Sequence, residues 1–259
     1  MPQHWRRNWV AFSTILVKEV TRFSRIWVQT ILPSAITTGL YLLIFGGLIG
    51  GRIGAMDGFT YMDYIVPGII MLSIITNSYG NVVSSFYGTK FQRHVEELLV
   101  APVPNWLILA GYVGGGVARG LTVGVLVTVV ASFFTDLQFA HPFLVALVAL
   151  LTAVVFSLGG FINAVFAKSF DDISIVPTFV LTPLTYLGGV FYSISLLGPL
   201  WQNLSLANPI LYMVNAFRYG FLGVSDIPVG VAFALIGFFI LVLGTGALAL
   251  LNRGTGIKS

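Results

Sequence analysis

Few side chains of this 259-residue chain that ionise, ligate or attack are placed where they can cooperate. The three histidines, His4, His94 and His141, lie in different regions with no partner at ligand spacing, so no metal site is read from them. There is no cysteine to supply a disulfide, a thiolate ligand or a nucleophile. No Ser/His/Asp set or pair of carboxylates falls inside one apolar segment, which disfavours an intramembrane hydrolase. Lys168-Ser169 follows Ala167 and not Gly, so the Gly-x-x-x-x-Gly-Lys-Ser/Thr loop that cradles phosphates is absent. What remains is a set of neutral polar residues within long apolar stretches. Ser73, Asn77, Asn81 and Ser84 recur at intervals of 4, 4 and 3, a single stripe on a helix, with Tyr79, Phe86 and Tyr87 nearby. Thr178, Thr182, Thr185 and Tyr186 gather around Pro177 and Pro183. Polar groups at membrane depth turn toward a cavity or another helix. The spacing favours cavity lining for Asn77 and Asn81, and interhelical hydrogen bonds, about 0.6 kcal/mol each, for the threonines.

The elements that position these residues follow from composition. The chain is 57% hydrophobic and 8% charged, with a mean hydropathy of +0.94. Soluble domains carry roughly 25% charged residues, so a water-covered globule is excluded and an all-α membrane protein is expected. A helix needs about 20 apolar residues to cross a bilayer. The uncharged intervals 26–51, 64–89, 137–167 and 227–252 each supply one. The interval 98–135 holds Pro102, Pro104 and Arg119, yet 121–134 completes a crossing that begins after Pro104. The longest interval, 173–217, starts as an apolar stretch over 173–194 and then turns polar and proline-rich through Gly198-Pro199 and Asn208-Pro209. It reads as a fifth span followed by a segment that dips into the outer leaflet and returns, giving six spans. Gly116, Gly120 and Gly124 make small-x-x-x-small steps in the third span, a sign of close helix packing.

Charge tests that count. With six spans and both ends inside, Arg6, Arg7, Lys18, Arg22, Arg25, Lys90, Arg93, Lys168, Arg253 and Lys258 are cytoplasmic, and only Arg52 and Arg218 lie near the outer surface. The net +4 therefore marks topology and not a nucleic-acid patch. Arg6-Arg7 before the apolar 9–17 has the outline of a secretory signal, but no small-x-small cleavage site follows. Trp5, Trp9, Phe12, Leu16, Val20, Phe23 and Trp27 recur at helical spacing opposite Arg7, Thr14, Lys18, Arg22 and Arg25, so 1–25 reads as an amphipathic helix in the inner interface. The chain is then one domain, 1–259, with its six-span body at 26–252 and a cytoplasmic tail at 253–259.

The loop after the second span carries Arg93, His94, Glu96 and Glu97 with Val95, Leu98, Leu99, Val100 and Ala101 before Pro102 and Pro104. As a helix it has one charged side and one apolar side, which suits either an interfacial connector or a docking element. The shorter loop Lys168-Ser169-Phe170-Asp171-Asp172 reads equally as a second contact or as the start of the fifth helix, where acidic residues are favourable.

The run Glu96-Glu97-Leu98-Leu99-Val100-Ala101-Pro102-Val103-Pro104, with Trp106 after it, resembles the cytoplasmic segment of type 2 ATP-binding-cassette (ABC) transporter permeases. Asn208-Pro209, Tyr212 and Arg218 are similar to that family's motif after the fifth span, with Asn215-Ala216 near the place where many relatives carry an acid. The resemblance implies an export permease of a bacterial inner membrane, working as a dimer with two copies of a separate ABC ATPase subunit. ATP and Mg would be bound by that partner, and this chain would hold no cofactor. It further implies that 93–102 is a coupling helix, with Leu98 and Leu99 filling a cleft of the ATPase while Glu96 and Glu97 pair at its rim. Lys168, Asp171 and Asp172 would form the second contact, and spans two and five would line the path of an amphipathic or lipid-like solute. The rival class, a secondary transporter or channel independent of ATP, usually places charged relay residues near the bilayer centre, where only Arg119 could lie here. The topology has a direct check in a chain without native cysteine: Lys258→Cys should resist an impermeant maleimide added outside intact cells, and its labelling there would remove the six-span reading.

Overall fold

The computed structural model describes residues 3–56 and 58–256, and within them all side chains except those of Gln3, His4, Ile49, Ile53 and Leu99. The chain begins with α1 (Gln3–Arg25), which turns at Ile26 into the short α2 (Trp27–Thr30) and then α3 (Leu32–Tyr41). A π-helical stretch over Leu42–Ile49 and α4 (Gly50–Ile53) complete the first apolar span. A small hairpin comes next, β1 (Ala55–Met56) antiparallel to β2 (Phe59–Thr60), with Ala55 opposite Thr60 and Met56 opposite Phe59. Thr60 caps α5 (Tyr61–Phe91), its hydroxyl accepting the Asp63 N–H at 3.3 Å.

Beyond α5 lie α6 (His94–Val100), α7 (Asn105–Ala131) and α8 (Pro142–Phe166), then α9 (Asp172–Val176) and α10 (Thr182–Tyr186) joined by a π-helical turn over Pro177–Leu181. The chain closes with α11 (Pro199–Leu206), α12 (Pro209–Leu222) and α13 (Val229–Arg253). Among the described residues, five helical stretches are long and apolar enough to cross a membrane: Trp27–Arg52, Tyr61–Phe91, Asn105–Ala131, Pro142–Phe166 and Val229–Arg253. The chain is thus a helical, multi-pass membrane protein.

Helix α5 is the axis of the fold. It is the most deeply buried of these five, whereas few residues of Trp27–Arg52 and Val229–Arg253 are buried. Glycine makes this possible. A Cβ on Gly116 of α7 would fall 2.5 Å from Val82, and one on Gly160 of α8 would fall 2.6 Å from the Tyr79 carbonyl oxygen. The small-residue steps of the third span therefore bring α7 onto α5 at backbone distance, as their spacing predicts. Below that contact Phe86, Tyr112 and Phe161 interlock, with ring centres 5.2 Å apart for Phe86–Tyr112 and 4.2 Å for Phe86–Phe161.

Three features bear on the sequence reading: the fifth segment and the docking face of α1 differ from it, and the break at Asn208-Pro209 agrees with it. The fifth helical segment spans 172–186 and not 173–194, because Pro177 and Pro183 interrupt its ladder and Gly189, at φ +68°, turns the chain back. The segment after it is broken between α11 and α12 at Asn208-Pro209, where the Asn208 side chain accepts the Ile210 N–H at 3.0 Å. In α1 the stripe facing the body is Ile15, Glu19 and Phe23, while Trp5 and Trp9 are 61% exposed. Apolar residues suit lipid and protein equally well, and Gly111 and Gly115 of α7, which receive Ile15 and Glu19, decide which side docks.

These contacts predict that Gly160→Leu, which would drive a side chain into the Tyr79 backbone, lowers stability by about 3 kcal/mol or prevents assembly. Gly246→Leu, on a position with open space around it, should be tolerated. Thermal unfolding of the two variants in detergent compares them.

Candidate functional site

Helices α3, α5 and the α9–α10 segment enclose a cavity of about 400 Å³. It runs from Pro33, Gly80 and Pro177 at one end to Tyr41, Ile69, Tyr186 and Phe191 at the other. Hydroxyls of Ser34, Thr37, Ser73, Thr76, Thr182 and Thr185 line it, and none of the described residues around it is charged. Several hydroxyls already donate within their own helix: Thr76 to Leu72 O at 2.9 Å, Thr182 to Pro177 O at 2.9 Å and Thr185 to Leu181 O at 2.6 Å. Their lone pairs remain as acceptors beside the aromatic faces of Tyr41, Tyr186 and Phe191.

The residues singled out by spacing divide between this cavity and the helix contacts behind it. Ser73, Thr182, Thr185 and Tyr186 line it. Thr178 is exposed beside it, and Ser84 donates to the Gly80 carbonyl of its own helix at 2.7 Å. Asn77 and Asn81 are buried elsewhere. Asn77 Nδ2 donates to Ser34 Oγ and Ser73 O, both at 3.0 Å, and Asn81 Oδ1 accepts from Arg22 Nη2 at 2.8 Å. The two asparagines tie helices together and the threonines face the cavity, the reverse of the weighting that spacing favours.

The partner of Asn81 reveals a cluster not singled out in the sequence. Glu19 is fully buried between α1, α5 and α7; Ser85 Oγ donates to it at 2.6 Å and Arg22 Nη2 at 3.3 Å. Arg22, which the helical period sets on the watery side, is only 31% exposed and also donates to Asn81 O at 3.0 Å. Its sequence signal is the i, i+4, i+8 spacing of Ile15, Glu19 and Phe23. Nearby, Arg119 Nη2 donates at 3.1 Å to Thr30 O, a carbonyl at the break between α2 and α3. Arg119 is therefore a brace between helices.

On the cytoplasmic side of the sequence reading, α5 passes into α6 through Arg93, whose φ of 62° is the left-handed region that a non-glycine residue adopts at a cost. Val95 is buried and Leu98 packs on the core, so Leu98 is an internal anchor and does not point outward. The side chain of Leu99 lies outside the described residues. What α6 presents is Glu96, Glu97 and Val100, the last 86% exposed, followed by half-buried Ala101 and exposed Pro102. Lys90 Nζ donates to Val165 O at 2.6 Å and Ala167 O at 2.8 Å, capping α8, and Arg93, Glu96 and Lys168 border a recess beside it. In the loop, Asp172 Oδ2 accepts the N–H groups of Lys168 at 2.8 Å and Ser169 at 3.1 Å, while Ser169 Oγ accepts the Asp172 N–H at 3.1 Å. The Lys168 N–H, then Ser169, hold the Asp172 carboxyl below the usual carboxylate range. A depressed value means that this cap is in place at neutral pH and is lost only as pH falls through that lowered value. Asp171 is exposed beside it.

The third motif closes the opposite end. Asn208 Nδ2 donates to Leu184 O at 2.5 Å, Pro209 opens α12, and the Tyr212 hydroxyl donates to Leu206 O at 2.8 Å. Arg218, which the topology reading sets toward the outer side, is 1% exposed, with its guanidinium 3.9 Å from the centre of the Tyr64 ring.

Residues 10–222, which include both motifs and the cavity, match the ABC-2 type transporter family. The chain belongs to that family and is the transmembrane permease subunit of an ABC transporter, a class that works with an ABC ATPase subunit. Among its relatives, the inner membrane transport permease YadH of Escherichia coli K12 is 61% identical over 251 residues, covering 97% of this chain and 98% of the relative. Nodulation protein J of Rhizobium meliloti strain 1021 is 23% identical over 243 residues, covering 91% and 88%.

The Glu19 cluster predicts a large single-mutant effect. Glu19→Ala would leave Arg22 beside α7 without its carboxylate, at a cost of roughly 3 kcal/mol, the low end for breaking a buried pair because Arg22 is 31% exposed. Replacing both residues, Glu19→Leu with Arg22→Met, should recover most of the loss. Thermal unfolding of the two variants in detergent gives the comparison.

Proposed function

We propose that the chain is the membrane-embedded half of an ATP-driven exporter in a bacterial inner membrane, moving an amphipathic solute with an uncharged polar part. The cavity between α3, α5 and α10 carries this reading: it is uncharged, offers hydroxyl acceptors from all three elements and aromatic faces at one end, and adjoins an apolar side of α3 and the α9–α10 segment. Along that side Ile36, Leu40, Phe179 and Val180 are exposed, a surface suited to a second copy of the chain that completes the path. The inner-membrane location comes from the name of the 61% identical relative.

The topology that goes with it has six crossings, with 172–186 as a short fifth one, 199–222 re-entering from outside, and both termini in the cytoplasm. Residues 1–259 act as one transmembrane unit. ATP and Mg are bound by two copies of the ATPase subunit, and this chain holds no cofactor. Force enters through α6 and the 168–172 loop, where Glu96, Glu97, Val100, Lys168 and Asp171 face the partner. Helix α6 follows α5 after only two residues, Gln92 and Arg93, so displacement of α6 tilts the wall of the cavity.

The exposed apolar residue in that contact supplies the test, since buried anchors dominate such interfaces and rim charges mainly orient them. Val100→Asp should leave membrane insertion and dimerisation intact, reduce co-purification of the ATPase subunit by about tenfold or more, and abolish export with it. Glu97→Lys should act more mildly. Undiminished co-purification with Val100→Asp would make α6 an interfacial connector only.

A further inference from the structure

A guanidinium is expensive to bury at membrane depth, yet Arg218 is 1% exposed. Two of its hydrogen bonds join backbone carbonyls of different elements. Nη2 donates to Gly189 O at 2.6 Å, Nε donates to Tyr64 O at 3.3 Å, and the group stacks over the Tyr64 ring. Gly189 lies in the turn that ends α10, at φ +68°. The rest of that turn is fixed from two further directions. The Val190 carbonyl oxygen sits 2.5 Å from where a Cβ on Gly68 of α5 would be, and the Tyr61 hydroxyl donates to Phe191 O at 3.2 Å. The turn is thereby clamped between α5 and α12.

What the turn carries is the Phe191 ring. Its centre lies 5.3 Å from Phe45, 5.8 Å from Tyr41 and 5.9 Å from Tyr186, on which it stacks. Tyr41, Tyr186 and Phe191 line the cavity at one end, the end from which α3 and α10 both run on toward the hairpin and α11. The opposite end, at Pro33, Gly80 and Pro177, has no such ring cluster.

We propose that Arg218 is the latch of an aromatic gate. It binds the 187–191 turn to α5 and so holds Phe191 and Tyr186 across the outer mouth of the cavity; breaking its bond to the Gly189 carbonyl loosens the turn, which then pivots on its Val190 and Phe191 contacts with α5 and widens the mouth. Arg218 is a positioning residue here, acting on solute only through Phe191. A charge-assisted bond to a carbonyl suits the task, because it is strong when made and leaves an acceptor that water can satisfy when broken. The inference rests on the cavity being the solute path described above.

The absence of cysteine makes the test direct. Thr182→Cys places one thiol in the cavity, and the complex with its ATPase subunit is probed in spheroplasts with an impermeant maleimide added outside. Arg218→Gln, and separately Phe191→Ala, should speed labelling by about tenfold, the scale of losing one hydrogen bond to a charged group. Arg218→Lys, which keeps one charged donor, should fall between. Ser169→Cys, on the cytoplasmic loop, should stay unlabelled throughout and so exclude leakage. If Arg218→Gln fails to insert, Arg218→Lys against Phe191→Ala carries the comparison. Fast labelling in Phe191→Ala with parental rates in the Arg218 variants would overturn the latch, and parental rates in all of them would overturn the gate. Thr182→Trp, which fills the cavity, addresses the path alone: unchanged ATP-driven export would remove the path while the labelling result stands.

Discussion

A backbone carbonyl that leaves its helix at membrane depth must find a donor in the protein, and this requirement governs where the cations of the fold sit. Arg119 serves Thr30 O where α2 breaks from α3, and Lys90 serves Val165 and Ala167 at the end of α8. Arg218 reaches Gly189 O past the end of α10. Side-chain amides do the same work, Asn208 on Leu184 O and Asn163 on Ile173 O. Each such bond makes an irregular point tolerable, and the irregular points are what give the bundle a cavity instead of a sealed core. Pro177 and Pro183 shorten the fifth segment; the shortened segment leaves room for α12 to fold back above it, and α12 brings Asn208 and Arg218 to the exposed carbonyls.

The long helices were legible because charge is excluded from spans: the uncharged interval 64–89 lies within Tyr61–Phe91, and 227–252 almost coincides with Val229–Arg253. The packing role of Gly116 was legible too, since close approach leaves only small residues. What escaped has physical causes. In 173–194 hydropathy stays high while Pro177, Pro183 and Gly189 dictate the path, so apolarity alone overstates the helix. Asn77 and Asn81 share a face at the level of one helix, but α5 is surrounded by neighbours, and a polar face can point at any of them. Glu19 was hidden because an acid in a basic amphipathic helix reads as solvated; only the glycine at 115, on another helix, shows that this side is occupied.

The same holds for the family motifs. Their residue types announced a short helix after α5 and a break before α12, yet the direction of each side chain came from contacts distant in sequence. Leu98 turns inward because Val95 has already committed that face of α6 to the core, and among the described side chains of α6 Val100 is the apolar one on display. Arg218 is buried because Tyr64, 154 residues away in sequence, offers both a ring and a carbonyl.

The joint at Arg93 has a mechanical consequence. A two-residue turn, Gln92-Arg93, whose second residue is held in the left-handed region has little slack, and Val95 and Leu98 immediately anchor α6 to the same core as α5. The two helices then behave as a bell crank with a fixed angle, in which rotation applied at one arm reappears at the other without delay. Spacer residues inserted there would act as a clutch, letting the cytoplasmic arm cycle while the arm inside the bilayer stands still.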